Sequence, residues 1–419
     1  MQNSSLLLSE IDRMVTEREL PKDNRNNHLF VDHLRFNSED APYEPFSALL
    51  ESMLDDVVPI TRKSLRGDYR ACGEQLLLNL SRVSLAHSWL CIDGDRNHYK
   101  GDPKEVFPRF RLIDNWLKYL LKRELVAKLQ GKNYKKDSVL NRYFPISDLH
   151  RQLVPFSLWL EASIRPPYLR LNKPDEAFIG YDWDENYQNK KFLERYNRFA
   201  KKQQWALKSP IIQVFTNSKS KNGRLHTAFQ SLPSRDYKIR INTNINDNQI
   251  AEVDFNANHL RLFLAKKGQP YIGDDPYSDI AEEVGCKRRH VKGFINTALN
   301  NEEYKGALGA SLGSWGVPYR ISKKILAVLT KRYPKLNFFC GFGLEAMNKE
   351  GDILMNVITK GMDAGIFCLP IHDAIAVEAH HAEWAKEAML QAWSEEVNDG
   401  IWCIHNATTV VDIKYGGSK

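Results

Sequence analysis

Residues 365–380 read GIFCLPIHDAIAVEAH, in which two apolar runs, IFCLPI and AIAVEA, are separated by only His372 and Asp373. A gap that short closes as a tight hairpin, so the two runs pair antiparallel. This one feature commits the C-terminal half of the chain to a sheet with a buried face, and it puts His-Asp at the tip. An aspartate at a tip also has a plain explanation in turn chemistry. Other apolar runs can join the sheet. SPIIQVF (209–215), QIAEVDF (249–255) and TTVVDIKYG (408–416) are rich in β-branched and aromatic residues and read as strands. Helical patterns lie between them, so the expected class is α+β with an antiparallel sheet.

The first 210 residues have a different texture. Segments such as PYEPFSALLESMLDDVV and RLIDNWLKYLLKRELVAKLQ place apolar residues at three- and four-residue steps and read as helices. Two stretches there interleave bases with aromatics, KRELVAKLQGKNYKKD (122–137) and NKKFLERYNRFAKKQQWALK (189–208). Each is either a solvated helix face or a surface that follows a phosphate backbone. The expected organisation is a mainly helical region over 1–210, then segments 211–268, 269–344 and 345–419.

At 419 residues, 42% hydrophobic and 26% charged, the chain has the make-up of a globular protein with several cores. No apolar run is long enough to span a bilayer, and the N-terminus lacks a basic region before its short apolar run, so neither membrane nor secretion is expected. Six cysteines, at 72, 91, 286, 340, 368 and 403, form no C-x-x-C pair. That argues against a zinc ribbon or a disulfide framework and fits a cytoplasmic setting. The net charge of +7 permits an acidic partner.

Three constellations carry chemistry. In IAEVDFNANHLRLFLA (250–265), Asp254 ends an apolar strand just before a helix that bears Arg261. It is either a helix cap or a carboxylate set at a sheet edge. Around CKRRHVKGFINTALNN, a helix buries Val291, Phe294, Ile295 and Ala298. It aligns Arg288, Lys292, Asn296 and Asn300 four apart on another side. Such a stripe is an ordinary surface face or, with two cations near the positive end of the helix dipole, a cradle for an anion with several oxygens. The third is His372-Asp373. Two carboxylates held close by a rigid sheet repel each other unless cations lie between them, an arrangement that suits a pair of Mg²⁺ ions.

Taken in order, strand-Asp-helix, then R-x-x-x-K on a helix, then a hairpin with His-Asp resembles motifs A, B and C of the family A nucleic-acid polymerases. GRLHTAFQSLP (223–233) resembles the G-R-L segment upstream of motif A, and DPYSDIA the approach to the fingers helix. The resemblance covers roughly residues 211–419. It implies a right-hand polymerase with an antiparallel palm, helical fingers and a thumb-like N-terminal region. It implies that Asp254 and Asp373 hold two Mg²⁺ ions, Mn²⁺ being possible, with the backbone carbonyl of Phe255 as a further ligand. Lys292 would hold the triphosphate and protonate pyrophosphate. Arg288, with Arg289 as runner-up in register, would grip the β- and γ-phosphates. His259, Asn296 and Asn300 would line the nucleotide pocket. Arg224, Arg261 and His372 would meet primer and template.

The pattern also departs from the family. His259 stands where the family's motif A has Glu. Asn296 and the Asn300-Asn301 pair replace an aromatic or Met and a Tyr-Gly. Ala374 follows His-Asp where the DNA polymerases have Glu, and Tyr277 stands where His is common. No acidic cluster before residue 210 suggests a proofreading exonuclease. The expected activity is template-directed DNA synthesis from nucleoside triphosphates without proofreading, in a compact enzyme of the kind carried by phages or mobile elements. The alternatives are an RNA-synthesising primase or single-subunit RNA polymerase, a non-templated transferase, and a non-catalytic nucleic-acid-binding relic.

Overall fold

A computed structural model describes residues 5–17, 20–21, 28–31, 33–36, 41–92, 110–133, 138–162, 168–172, 187–398 and 407–417. The fold is mixed α and β, consistent with the α+β class. Two hydrophobic cores organise it.

The first core is built from residues 34–162. Helices Tyr43–Val57, Arg66–Ala86, Phe110–Lys122 and Ser147–Ser157 accompany a four-stranded sheet in the order His28–Phe30, Trp89–Ile92, Asn141–Pro145, Val126–Leu129. Leu50, Leu76, Leu80, Trp116 and Phe144 fill the interior. Helices dominate the described part of this region, but the sheet was not expected. The reading of RLIDNWLKYLLKRELVAKLQ as one helix needs correction. The helix ends at Lys122, Glu124 takes a left-handed φ of 55°, and Val126–Leu129 becomes a strand paired with Asn141–Pro145. A non-glycine residue forced to positive φ cannot continue an α-helix, and β-branched Val126 then suits the pleat. In the basic stretch 122–137, residues 134–137 lie outside the described set, as does Cys403.

The second core takes Leu193, Tyr196 and Trp205 together with Ile211, Phe215, Val253, Phe263, Ile295, Leu354 and Ile375. Leu7, Ile11 and Met14 of the helix Ser5–Glu17 also join it. Strand Leu169–Asn172 pairs in parallel with β1 (Ile212–Thr216), which pairs antiparallel with β2 (Ser218–His226). The expected break at residue 210 therefore runs through one packed body.

The strands that position the site are β3 (Asn248–Phe255), β4 (Leu369–Ile371), β5 (Ala374–Glu378) and β6 (Val411–Tyr415). β3 lies between β5 and β6, antiparallel to both, and β4 and β5 form the hairpin expected around His-Asp. Ala251, Val253 and Phe255 point to the core side, so the alternation of the pleat turns Glu252 and Asp254 to the other face. The helices are α1 (Asn258–Lys266), α2 (Pro276–Val284), α3 (Arg288–Leu299), α4 (Tyr304–Trp315), α5 (Tyr319–Arg332), α6 (Gly343–Ala364) and α7 (Ala382–Val397). No helix of the described residues is long and apolar enough to cross a membrane.

One close approach sets the geometry near the site. A Cβ on Gly351 of α6 would lie 2.3 Å from the carbonyl oxygen of Gly223 in β2. Only glycine lets the helix lie this flat on the strand.

Candidate active site

Asp254 does not cap a helix. It lies within β3, and α1 starts at Asn258 after Ala257, which takes a left-handed φ of 55° and makes no side-chain cap bond. Across the ladder, Asp254 faces Ala374 of β5 and Asp412 of β6. Residues directly opposite in an antiparallel pair share a face. Ala374 adds no charge to that face, and the exposed Asp412 carboxylate accepts from Asn256 Nδ2 at 3.2 Å. Asp373 precedes Ala374, at the end of the two-residue turn whose first residue, His372, takes a left-handed φ of 58°. Histidine tolerates that conformation better than most residues.

Asp254 and Asp373, 119 positions apart in sequence (373 − 254), line the same two cavities together with Lys292. The first, about 440 Å³, is also lined by Arg224, Phe255, His259, Tyr277, Asn296, Asn300 and Trp315. Lys292, Asn296 and Asn300 project into it from successive turns of α3, whose apolar side buries Val291, Phe294, Ile295 and Ala298 completely. Lys292 is exposed and has no ion-pair partner among the described residues. Asn296 accepts a hydrogen bond from the buried Tyr277 hydroxyl at 2.9 Å.

Burial raises the Asp254 carboxyl above the ordinary carboxylate range, and the Asp373 charge raises it further against the pull of Lys414 and Lys292. Asp373 is raised too, first by burial and then by Glu350, with Arg224 and His259 opposing. The pair resists ionisation as it stands, and a cation between them would relieve both effects. Among the described residues no three His, Cys, Asp or Glu side chains gather as a metal cage. Asp254 and Asp373 nevertheless offer only oxygen donors on one cavity wall, the chemistry Mg²⁺ takes, since that ion keeps waters and draws its other ligands from phosphate. The residues present therefore fit a hard divalent ion.

Several expected residues are engaged elsewhere. Arg261 is 1% exposed, and its guanidinium donates to the carbonyls of Asn256, Thr408, Gly273 and Asp274. It ties the start of α1 to two loops and has no face left for primer or template, which corrects that expectation. Arg288 begins α3 and pairs with Asp275 at 2.5 Å, with its guanidinium over the Tyr277 ring. Asp275 also caps α2 through the Tyr277 N–H. Arg288 thus stands beside the first cavity rather than in its wall.

Arg224 and His259 line the cavity but meet at a residue that was not expected. Glu350 of α6 is fully buried. Its carboxylate takes Arg224 Nε at 2.8 Å, His259 Nε2 at 3.0 Å and Asn258 Nδ2 at 3.1 Å. Despite the opposing effect of burial, His259 and Arg224 hold this carboxyl down at about 2. The sequence did contain a signal for it. Ala346, Glu350, Ile353, Leu354 and Val357 share the buried side of α6, and an acid on such a stripe demands cationic partners. His259 Nδ1 is buried and has no hydrogen-bond partner among the described residues.

His372 is exposed on one side. Crowding by the protein, then Arg224 and Arg240, lower its imidazole to about 4, so it is neutral at pH 7. No protein-family model matches this chain, and no curated protein matches it.

Proposed function

We propose that the protein is a nucleotidyltransferase that extends nucleic acid on a template, most simply a DNA polymerase without proofreading. The observation that carries this reading is the convergence of Asp254, Asp373 and the unpaired Lys292 on one cavity from three separate segments. In this reading the β3–β6 sheet serves as palm, α2 to α5 as fingers, and the N-terminal body as a thumb-like grip.

Asp254, Asp373 and the Phe255 carbonyl would hold two divalent ions. When bound, those ions supply charge neutralisation and an activated hydroxyl at neutral pH. The reaction joins an acceptor 3′-oxygen, its hydroxyl proton passing to water, to the α-phosphorus of a nucleoside triphosphate. The bond from that phosphorus to the bridging oxygen breaks, and pyrophosphate leaves with the electron pair. Lys292 Nζ binds the triphosphate and gives a proton to the departing pyrophosphate oxygen. Asn296, held by Tyr277, and Asn300 shape the wall against the base and sugar. Arg288 reaches phosphate by exchanging Asp275 for it.

Ribonucleotide use is a second reading, favoured by His259 in the cavity wall, where the motif it resembles carries a glutamate.

The test is Mg²⁺-dependent incorporation on a primed template, with deoxy- and ribonucleotides supplied separately. Asp254→Asn and Asp373→Asn are expected to lower incorporation by roughly three orders of magnitude, since a lost metal ligand removes several kcal/mol of transition-state stabilisation. Template binding should be nearly unchanged. Full synthesis by either variant would overturn the assignment.

A further inference from the structure

The basic stretch 189–208 has no part in the cavities at Asp254 and Asp373. One of its cations, Arg195, is spent on Asp363 at 2.5 Å. Three others, Arg198, Lys201 and Lys208, line a separate cavity of about 440 Å³. Arg35 and Glu161 enter its wall from the first core, on the paired strands Leu34–Phe36 and Leu160–Ala162. The helix Gln188–Ala200, which packs into the second core, brings Arg198. Lys208 is tied to the first core's strand, because its carbonyl accepts from the Ala162 N–H at 2.8 Å. The cavity therefore lies at the seam of the two cores.

The charges in its wall do not cancel. Arg35 and Glu161 meet at 3.5 Å. Glu194 is the only other acid among the described residues of the wall, and it faces three cations. Arg198 and Lys201 are exposed, and their side chains have no hydrogen-bond or ion-pair partner among the described residues. Lys208 is 6% exposed. Its Nζ donates to the Lys201 carbonyl at 2.7 Å and has no ion pair among the described residues. An ammonium carries three donors, so two are left over. Burial lowers the pKa of this ammonium; Glu161 opposes that effect, while Lys201 and Arg35 add to it. A buried cation is stable when an anion meets it, and this wall does not supply one.

A guanidinium and two ammoniums around one space suit a compact anion with several oxygens. The volume is that of a small-molecule site. A polynucleotide would need cations repeated along an open face, and the commitment of Arg195 to Asp363 interrupts such a face.

We propose that this seam cavity binds a small phosphate anion, either inorganic phosphate or the phosphate of a mononucleotide, on Arg198, Lys201 and Lys208. The site is separate from the one assigned to nucleotidyl transfer and does not depend on that assignment. Bound there, the anion neutralises charge at the seam and stabilises the packing of one core against the other.

The test is calorimetric titration of inorganic phosphate and, separately, AMP into the full chain without divalent ions, with thermal melts under the same conditions. Phosphate is expected to raise the wild-type melting temperature. The double variant Arg198→Ala/Lys201→Ala, at exposed positions, should bind about tenfold more weakly or worse and lose that rise. Lys208→Met keeps the buried stem, removes the charge and should weaken binding likewise. The charge-conserving Arg198→Lys/Lys201→Arg should bind nearly as the wild type does, which separates a contact from a folding defect. Lys292→Ala should leave phosphate binding unchanged, because that lysine belongs to the other cavities. Tighter binding of AMP than of phosphate would assign the nucleotide, with the partly exposed Tyr168 of the wall near its base. Equal binding would assign inorganic phosphate. No binding by the wild type, undiminished binding by the double variant, or loss of binding in Lys292→Ala would each overturn the proposal. So would a labelled single-stranded oligonucleotide that binds through Arg198 and Lys201 while neither small anion binds.

Discussion

Asp254 and Glu350 are held under opposite electrostatic conditions, and their titrations affect stability with opposite sign. Glu350 is held at about 2 against an ordinary 4.5. Between those values the unfolded chain binds the extra proton, so stability is present above 4.5 and is lost as the pH falls toward 2. Glu350→Gln should remove that acid limb. It should also cost about 3 kcal/mol near neutrality, because Arg224 is left buried without its counter-charge. Chemical denaturation at a series of pH values measures both effects. Asp254 runs the other way. Its folded value is raised, so the folded protein keeps a proton that the unfolded chain has released, and stability falls as the pH rises past the ordinary carboxylate range. Asp254→Asn is therefore expected to melt higher than wild type at pH 8, with the two converging near pH 4. Mg²⁺ should raise the wild-type melting temperature more than that of the variant. Equal melting temperatures at pH 8 would mean that the Asp254 carboxylate is not under strain. Asp254 and Asp373 could be picked out in the sequence because each interrupts an apolar run, and Lys292 and the wall amides because they recur four apart on one side of a helix. Glu350 stands out on the buried stripe of α6, but that it meets Arg224, and that Asp275 meets Arg288, rests on tertiary contacts that no period encodes.

At the scale of elements, the site depends on how α6 meets β2. Gly351 allows the contact, and Glu350, one residue earlier, then reaches Arg224. In Gly351→Ala the new methyl would press on the Gly223 carbonyl and push the helix off the strand. The expected cost is about 1–3 kcal/mol, as for overpacking elsewhere. Nucleotide KM should rise with it, because Arg224 and His259 lose their common anchor. Thermal melts and steady-state kinetics on the one variant test both. Most of the elements were legible: the hairpin, β3 with α1, α3 with its apolar stripe, and the closing strand β6 all follow from local pattern. The sheet among residues 28–145 was not. Its strands are short, and Val126–Leu129 directly follows a helix whose three- and four-residue period masks it. The turn at Glu124 that separates them is a backbone event, with neither glycine nor proline to announce it.

In the molecule as a whole, the first helix, Ser5–Glu17, packs with the second core. Arg13 donates to the Asp236 carbonyl at 2.6 Å and stacks on the Tyr237 ring, and Tyr237 donates to Glu17 at 2.8 Å. The segment between Arg235 and Lys238 is thereby clamped from the far end of the chain. Sequence could locate the carboxylates but not this clamp, because contacts more than two hundred residues apart leave no local trace. The two-residue turn between Ile371 and Ala374 has a further consequence. Loops at the surface generally lengthen at little thermodynamic cost, but one residue inserted here would swap the pleat of β4 or β5 and carry Asp373 away from Asp254. An insertion at this bend would therefore part the two carboxylates even where the rest of the fold absorbed it.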